Sequence, residues 1–369
     1  MKTFETEITP CQAVPVELAI SANRYMAADR MGNHARAETK KLFGIVTMGQ
    51  AMDIASASLI KRSEKSICEE ELKAELQTFQ TCDDFNDQSI LDAKMLYVIA
   101  SKVELNEVAE EYRTVILDAL KHMQRPAITQ MTYQDIILNN PAQGMRTFTT
   151  GKAAISEGCF YRGHQIIEGH VSDLIDALRT AHETGDVNYL DVAKSSATKA
   201  GAIMMKFRSE LNKSHFNAFK GYFDTNPMTG EKGPSGVFSA TIPHVDVLLA
   251  GAENYEGQDY LRDNEAYFPQ RDLAYLRQSI AENVNLSERF NGNACALDKL
   301  EAVSKRMVSF RNMHKGAVIK HIGKDVVGSA EGGSALQFLH DRIEGSMRKV
   351  KLIRSRKDKN DNGSNIPTV

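Results

Sequence analysis

Few residues in this chain combine types and spacing that could do chemistry, and the strongest set centres on His314. From Leu300 to His321 an apolar stripe runs Leu300, Val303, Met307, Phe310, His314, Ala317 and His321. That is the spacing of a core-facing helix, with imidazole at a core position. A buried imidazole must satisfy its ring nitrogens. Two readings follow: a core histidine bonded to a backbone carbonyl, or an axial ligand to a heme iron whose second nitrogen is oriented by an acceptor. His321 lies about 10.5 Å further along the helix axis and cannot bind the same metal from the same side, so His314 would be a single proximal ligand.

A second histidine sits in the run Cys159 to Gly169 (CFYRGHQIIEG). His164, Ile167, Val171, Leu174 and Leu178 share one helical face, which points His164 inward. A distal imidazole there could donate to a bound ligand or accept a proton; the alternative is a second satisfied core histidine.

Other chemistry is absent from the sequence. No two of the 24 glycines are separated by a single residue, so a G-x-G dinucleotide fingerprint cannot be written. Neither a phosphate-binding P-loop nor a G-x-S-x-G nucleophile elbow occurs. None of the ten histidines follows a glutamate by three residues or another histidine by four, which removes the di-iron and helical zinc signatures. A bound cofactor is the leading remaining route to chemistry for a helical protein.

The elements that must position these residues are helices. The nine prolines leave 16–125, 142–226 and 270–366 proline-free, which predicts a mostly helical protein. Helical patterns are expected at 16–62, 68–80, 88–101, 104–123, 158–182, 187–222, 238–251, 268–290 and 294–322, with a last helix over 334–350. Asp186 is the expected N-cap of the helix beginning at 187. Residues 223–237 hold two prolines and three glycines and predict a functional loop, and 323–333 form a second glycine-rich loop. The expected organisation is an N-terminal helical cap or small domain over 1–140, a helical domain over 141–352, and a disordered basic tail over 353–369.

With 369 residues, 42% hydrophobic, and 45 basic against 48 acidic side chains, the chain is too apolar for disorder and too evenly charged for general nucleic-acid binding. Its apolar runs are too short to span a membrane, and its N-terminus lacks the pattern of a signal peptide. Five scattered cysteines without a Cys-x-x-Cys predict reduced thiols and a cytoplasmic protein.

The stretch Met307 to His321 (MVSFRNMHKGAVIKH), followed by Gly328 to Leu339 (GSAEGGSALQFL), resembles the C-terminal half of the indoleamine/tryptophan dioxygenase superfamily of His-ligated heme proteins. Gly233 to Ser239 (GPSGVFS) and Asp246 to Leu249 (DVLL) resemble that family's heme-edge loop and the helix after it. Asn140-Pro141, Arg146 to Thr149 (RTFT) and Phe216 to Phe223 (FNAFKGYF) are most similar to its monodechloroaminopyrrolnitrin synthase branch. The resemblance covers roughly residues 140–350.

It implies an all-α heme b fold with His314 as the proximal iron ligand. Phe160 and Tyr161 would take the distal aromatic places, with His164 where relatives carry serine. Lys220 would replace an arginine that pairs with a substrate carboxylate, a weaker substitute because ammonium lacks the planar two-point contact of guanidinium. His215 would fall near another distal aromatic position. Ser235 and Gly236 would pass over the heme edge, and Gly332, Gly333 and Ser334 would belong to the loop closing over substrate. The implied partners are O2 and a small indole-type aromatic substrate, and a homo-oligomer is compatible with this reading. Two alternatives stay open: other heme chemistry on the same scaffold (rearrangement, peroxide-driven hydroxylation or gas binding), and a non-enzymatic helical interaction protein.

Overall fold

The computed structural model describes residues 69–80, 86–141, 145–149, 151–323 and 335–363. The expected helix over 16–62, Cys11, Cys68, Cys82 and the loop with Gly332, Gly333 and Ser334 lie outside them. The described residues are helical and contain no strand. None of their helices is long and apolar enough to cross a membrane.

Three helices precede the longest ones: α1 (Glu69–Gln80), α2 (Asp87–Lys102) and α3 (Asn106–His122). The chain then passes through a π-helical turn at Gln134–Leu138. Asp135 anchors that turn from a fully buried position, bonded by Lys94 of α2 at 2.7 Å and by Arg125 at 3.1 Å. Burial opposes ionisation of Asp135, but the two cations and the Thr132 amide hold its carboxyl down at about 2.

The centre of the fold is a stack of α4 (Gly151–Thr184), α5 (Tyr189–Glu210) and α11 (Ala294–His321), with α12 (Ala335–Gly363) lying along α11. Ile167, Val171, Leu174 and Leu178 of α4 are all buried, as the helical periodicity requires. On α11, Leu300, Val303, Met307, Phe310 and Ala317 are buried in the same way. Asn293 starts α11 by accepting from the Ala296 amide at 3.0 Å, satisfying a donor that a helix N-terminus leaves free.

The expected single helix over 187–222 is two. Leu211 is extended, with φ −66° and ψ 127°, and Asn212 caps α6 (Lys213–Lys220) by accepting from the Ser214 and His215 amides. An Asn side chain competing for backbone donors explains the break. Asp186 is not the cap of α5: that position belongs to Asn188, whose amide donates to the Asp186 carboxylate at 2.9 Å.

Between α6 and α7 (Thr241–Ala250) the predicted loop carries no α-helix. Glu231 ties it down by accepting from the Thr129 and Gln130 amides at 3.0 and 2.8 Å. Gly233 is required there, since a Cβ would lie 2.0 Å from the Phe223 carbonyl oxygen. Pro243 is tolerated within the first turn of α7, where amides have no helical acceptor. Short helices α8 (Gln258–Asp263), α9 (Gln270–Ala281) and α10 (Leu286–Arg289) complete the fold, so the expected helix over 268–290 is interrupted after Ala281.

Residues 353–363 of the expected disordered tail are helical, and 364–369 lie outside the described residues. Helix α12 continues to Gly363 with Ile353 fully buried. Its basic residues are used in ion pairs, Arg354 with Glu301 at 2.6 Å, Lys357 with Asp298 at 2.5 Å, and Arg356 with Glu288. Acidic partners on α10 and α11 turn a solvated charge run into a docked helix.

Candidate functional site

Helices α4, α5, α6, α11 and α12 and the loop 233–238 enclose a cavity with two adjoining lobes, about 1100 Å3 and 830 Å3 counting the open mouth. His164, Met204, Gly236, Val237, His314, Phe338 and Leu339 line both lobes.

The two histidines are held differently. His164 Nδ1 lies 2.9 Å from the Phe160 carbonyl. A carbonyl only accepts, so Nδ1 carries the proton and Nε2 keeps its lone pair. Phe207 stacks against the His164 ring at 5.0 Å and Phe160 packs on it at 4.4 Å. Burial pushes the His164 imidazole down to about 4 despite the Phe160 bond. Both rings border the cavity, and neither ring nitrogen of His314 has a hydrogen-bond partner among the described residues. Burial, followed by the charges of His164 and Arg311, lowers it to about 4 as well. Both rings are therefore neutral near pH 7, the state in which imidazole binds a metal or accepts a proton.

Arg311 fixes the turn of α11 that carries His314. Its guanidinium makes a two-point pair with Asp246 of α7, at 2.7 and 3.2 Å, and also donates to Ser346 of α12. Both charged side chains are about 6% exposed. Burial alone would raise the Asp246 carboxyl, but Arg311 and Lys349 outweigh it and hold the group below its ordinary value.

The first lobe is strongly apolar. Phe160 sits within 5.5–6.3 Å of Phe207, Phe216, Phe219 and Phe223. Lys220 and Asp224 supply charge to its wall. Ser235 and Gly236 line it too, with Ser235 capping a short 3-10 turn at Gly236–Phe238. A Cβ placed on Gly236 would meet nothing within 4 Å, so no protein atom fills that space.

The second lobe has more charged side chains in its wall, Glu168, Asp246, Arg311 and Arg342. Glu168 accepts from Tyr133 and Thr241, each at 2.7 Å, and burial raises its carboxyl. Tyr133 comes from the segment before residue 141, so the first part of the chain also contributes to this cavity.

The structure brings together Phe160, His164, Lys220, Ser235, Gly236 and His314. It does not bring His215 to the cavity wall: that ring is bonded through Nδ1 to Ser156 at 2.8 Å, where α6 meets α4. Capping of α6 by Asn212 sets that direction. Tyr161 is also directed elsewhere, bonded to buried Glu157 at 2.5 Å. Sequence reasoning missed Met204, Phe207, Val237, Phe338 and Arg342 as wall residues. Phe338, Leu339 and Arg342 carry one available signal, helical spacing that puts them on one side of α12.

No family model matches the chain, and comparison with curated proteins returns no match.

Proposed function

We propose that the cavity holds a heme b through His314 and that the protein is a heme-dependent oxygenase acting with O2 on an indole or related aromatic substrate. The carrying observation is His314 itself, a neutral imidazole at the boundary of both lobes whose ring nitrogens have no partner among the described residues. The surrounding residues fit the group: an apolar chamber, a second imidazole with a free lone pair, cationic side chains, and open space beside Gly236. The resemblance of Met307 to His321 to the dioxygenases supports the same assignment.

His314 would hold the iron, with Arg311 and Asp246 setting the rotation of its helix. When bound, the heme supplies the redox chemistry that activates O2. The chain's residues bind and orient the substrate. Phe160, Phe207, Phe216 and Phe223 offer ring faces and edges to a planar aromatic and exclude water. His164, its proton fixed on Nδ1, presents Nε2 as the acceptor for an N–H or O–H proton. Lys220 offers an ammonium to a substrate carboxylate.

The test is turnover. Heme-loaded protein is incubated with tryptophan, indole and substituted indoles, following O2 uptake and ring-opened product. Aromatic-dependent O2 uptake that falls at least tenfold in His164→Ala supports the reading. Loaded protein that turns over none of the panel contradicts the oxygenase assignment.

A further inference from the structure

The second lobe has a guanidinium in its wall. Arg342 of α12 lines it, half-buried, with its guanidinium against three aromatic rings: Phe338 at 4.9 Å, Tyr255 at 5.7 Å and Tyr260 at 6.0 Å. No carboxylate pairs with it among the described residues. The acids nearby are committed elsewhere. Asp246 is bound at two points by Arg311, and Glu256 by Arg348 at 2.7 and 2.5 Å. Glu168 is occupied by Tyr133 and Thr241. Lys349, buried beside the Arg311–Asp246 pair, adds another positive charge. Asp246 and Glu256 both feel the charges of Arg342 and Lys349, but each is already paired, Asp246 with Arg311 and Glu256 with Arg348.

A partly buried guanidinium with no paired carboxylate is stabilised by an anion that completes it. Guanidinium suits a planar carboxylate, which it can bind at two points. Packing against Phe338 and the two tyrosines restricts the guanidinium in advance, reducing the ordering needed on binding.

We propose that Arg342, supported by the Arg311–Asp246 pair, is a carboxylate-binding site in the second lobe, so that whatever occupies this cavity carries a carboxylate into that end. On the heme reading, the carboxylate is a propionate of the cofactor; the same chemistry would accept a carboxylated aromatic substrate.

The experiment compares carboxylated and carboxyl-blocked probes on the full chain. Apo-protein is titrated with heme and with heme dimethyl ester, following the Soret band, in wild type, Arg342→Met and Arg342→Lys. Wild type is expected to bind heme roughly tenfold or more tightly than the ester, as charge-assisted bonds allow. Arg342→Met should erase that preference and Arg342→Lys restore part of it. Because the ester changes only the ligand, the wild-type comparison stands even if a variant folds poorly.

A second arm compares indole-3-acetate with indole by calorimetry, on both heme-loaded and apo-protein. Unchanged heme affinity in Arg342→Met, together with loss of an indole-3-acetate preference, assigns the site to a substrate carboxylate. Equal binding of heme and its ester, with no preference for indole-3-acetate over indole, overturns the proposal. If no porphyrin binds at all, the heme reading fails, and the apo-protein calorimetry still decides the carboxylate site.

Discussion

His164 of α4 and His314 of α11 border the same cavity from two different helices, and each leaves at least one ring nitrogen without a partner among the described residues. Burial keeps both neutral, with values near 4. In apo-protein, the imidazole resonances of these two residues should therefore show no titration between pH 5 and pH 8. Histidine-selective NMR across that range checks this. A midpoint near the ordinary 6.5 for either ring would mean that it is solvated.

Asp246 should be the most sensitive residue supporting His314. Removing its carboxylate in Asp246→Ala leaves Arg311 charged and buried, which costs about 3–5 kcal/mol. Asp246→Asn keeps an acceptor and should cost less. Urea denaturation of the two variants measures the difference; equal and small losses would show that the pair contributes little.

Asp272 should make the protein less stable as pH rises. Burial, reinforced by the negative charge of Glu168, raises its carboxyl from 3.8 to about 8. The folded state then binds a proton that the unfolded chain releases across this interval, so the Asp272 contribution is greatest near pH 4 and declines towards pH 8. His244, lowered by burial and Arg179 to about 3, acts in the opposite sense from about 6.5 downwards. Asp272→Asn should flatten the fall in melting temperature between pH 6.5 and pH 8, where the two effects separate. An unchanged profile would exclude Asp272 as its source.

Gly233 and Gly236, in the loop before α7, should behave oppositely. Gly233→Ala forces a methyl into the Phe223 carbonyl and should lower the melting temperature by several degrees. Gly236→Ala enters open space and should leave apo-protein stability unchanged. Thermal melts distinguish them, and equal destabilisation would contradict the packing described.

Much of this architecture was legible in the sequence because helical periodicity reports which face is buried. The expected helix over 294–322 is Ala294–His321, and the inward turn of His164 followed from Ile167, Val171, Leu174 and Leu178. Periodicity failed where a polar side chain or a distant partner decides. Asn212 ends a long apolar pattern by capping, which redirects α6 and leaves His215 on Ser156 rather than at the cavity. Glu288, Asp298 and Glu301 order the basic end of α12, a pairing that composition alone cannot reveal. Arg342 reaches the second lobe only because α12 folds back along α11.

The most direct measurement is the absorption spectrum of the full chain purified with heme supplied, alongside His314→Ala. A Soret band in wild type that is lost or strongly altered in His314→Ala, with the variant still folded by circular dichroism, is the expected result. No Soret band in wild type under any loading condition, or an identical band in the variant, would contradict His314 as the iron ligand.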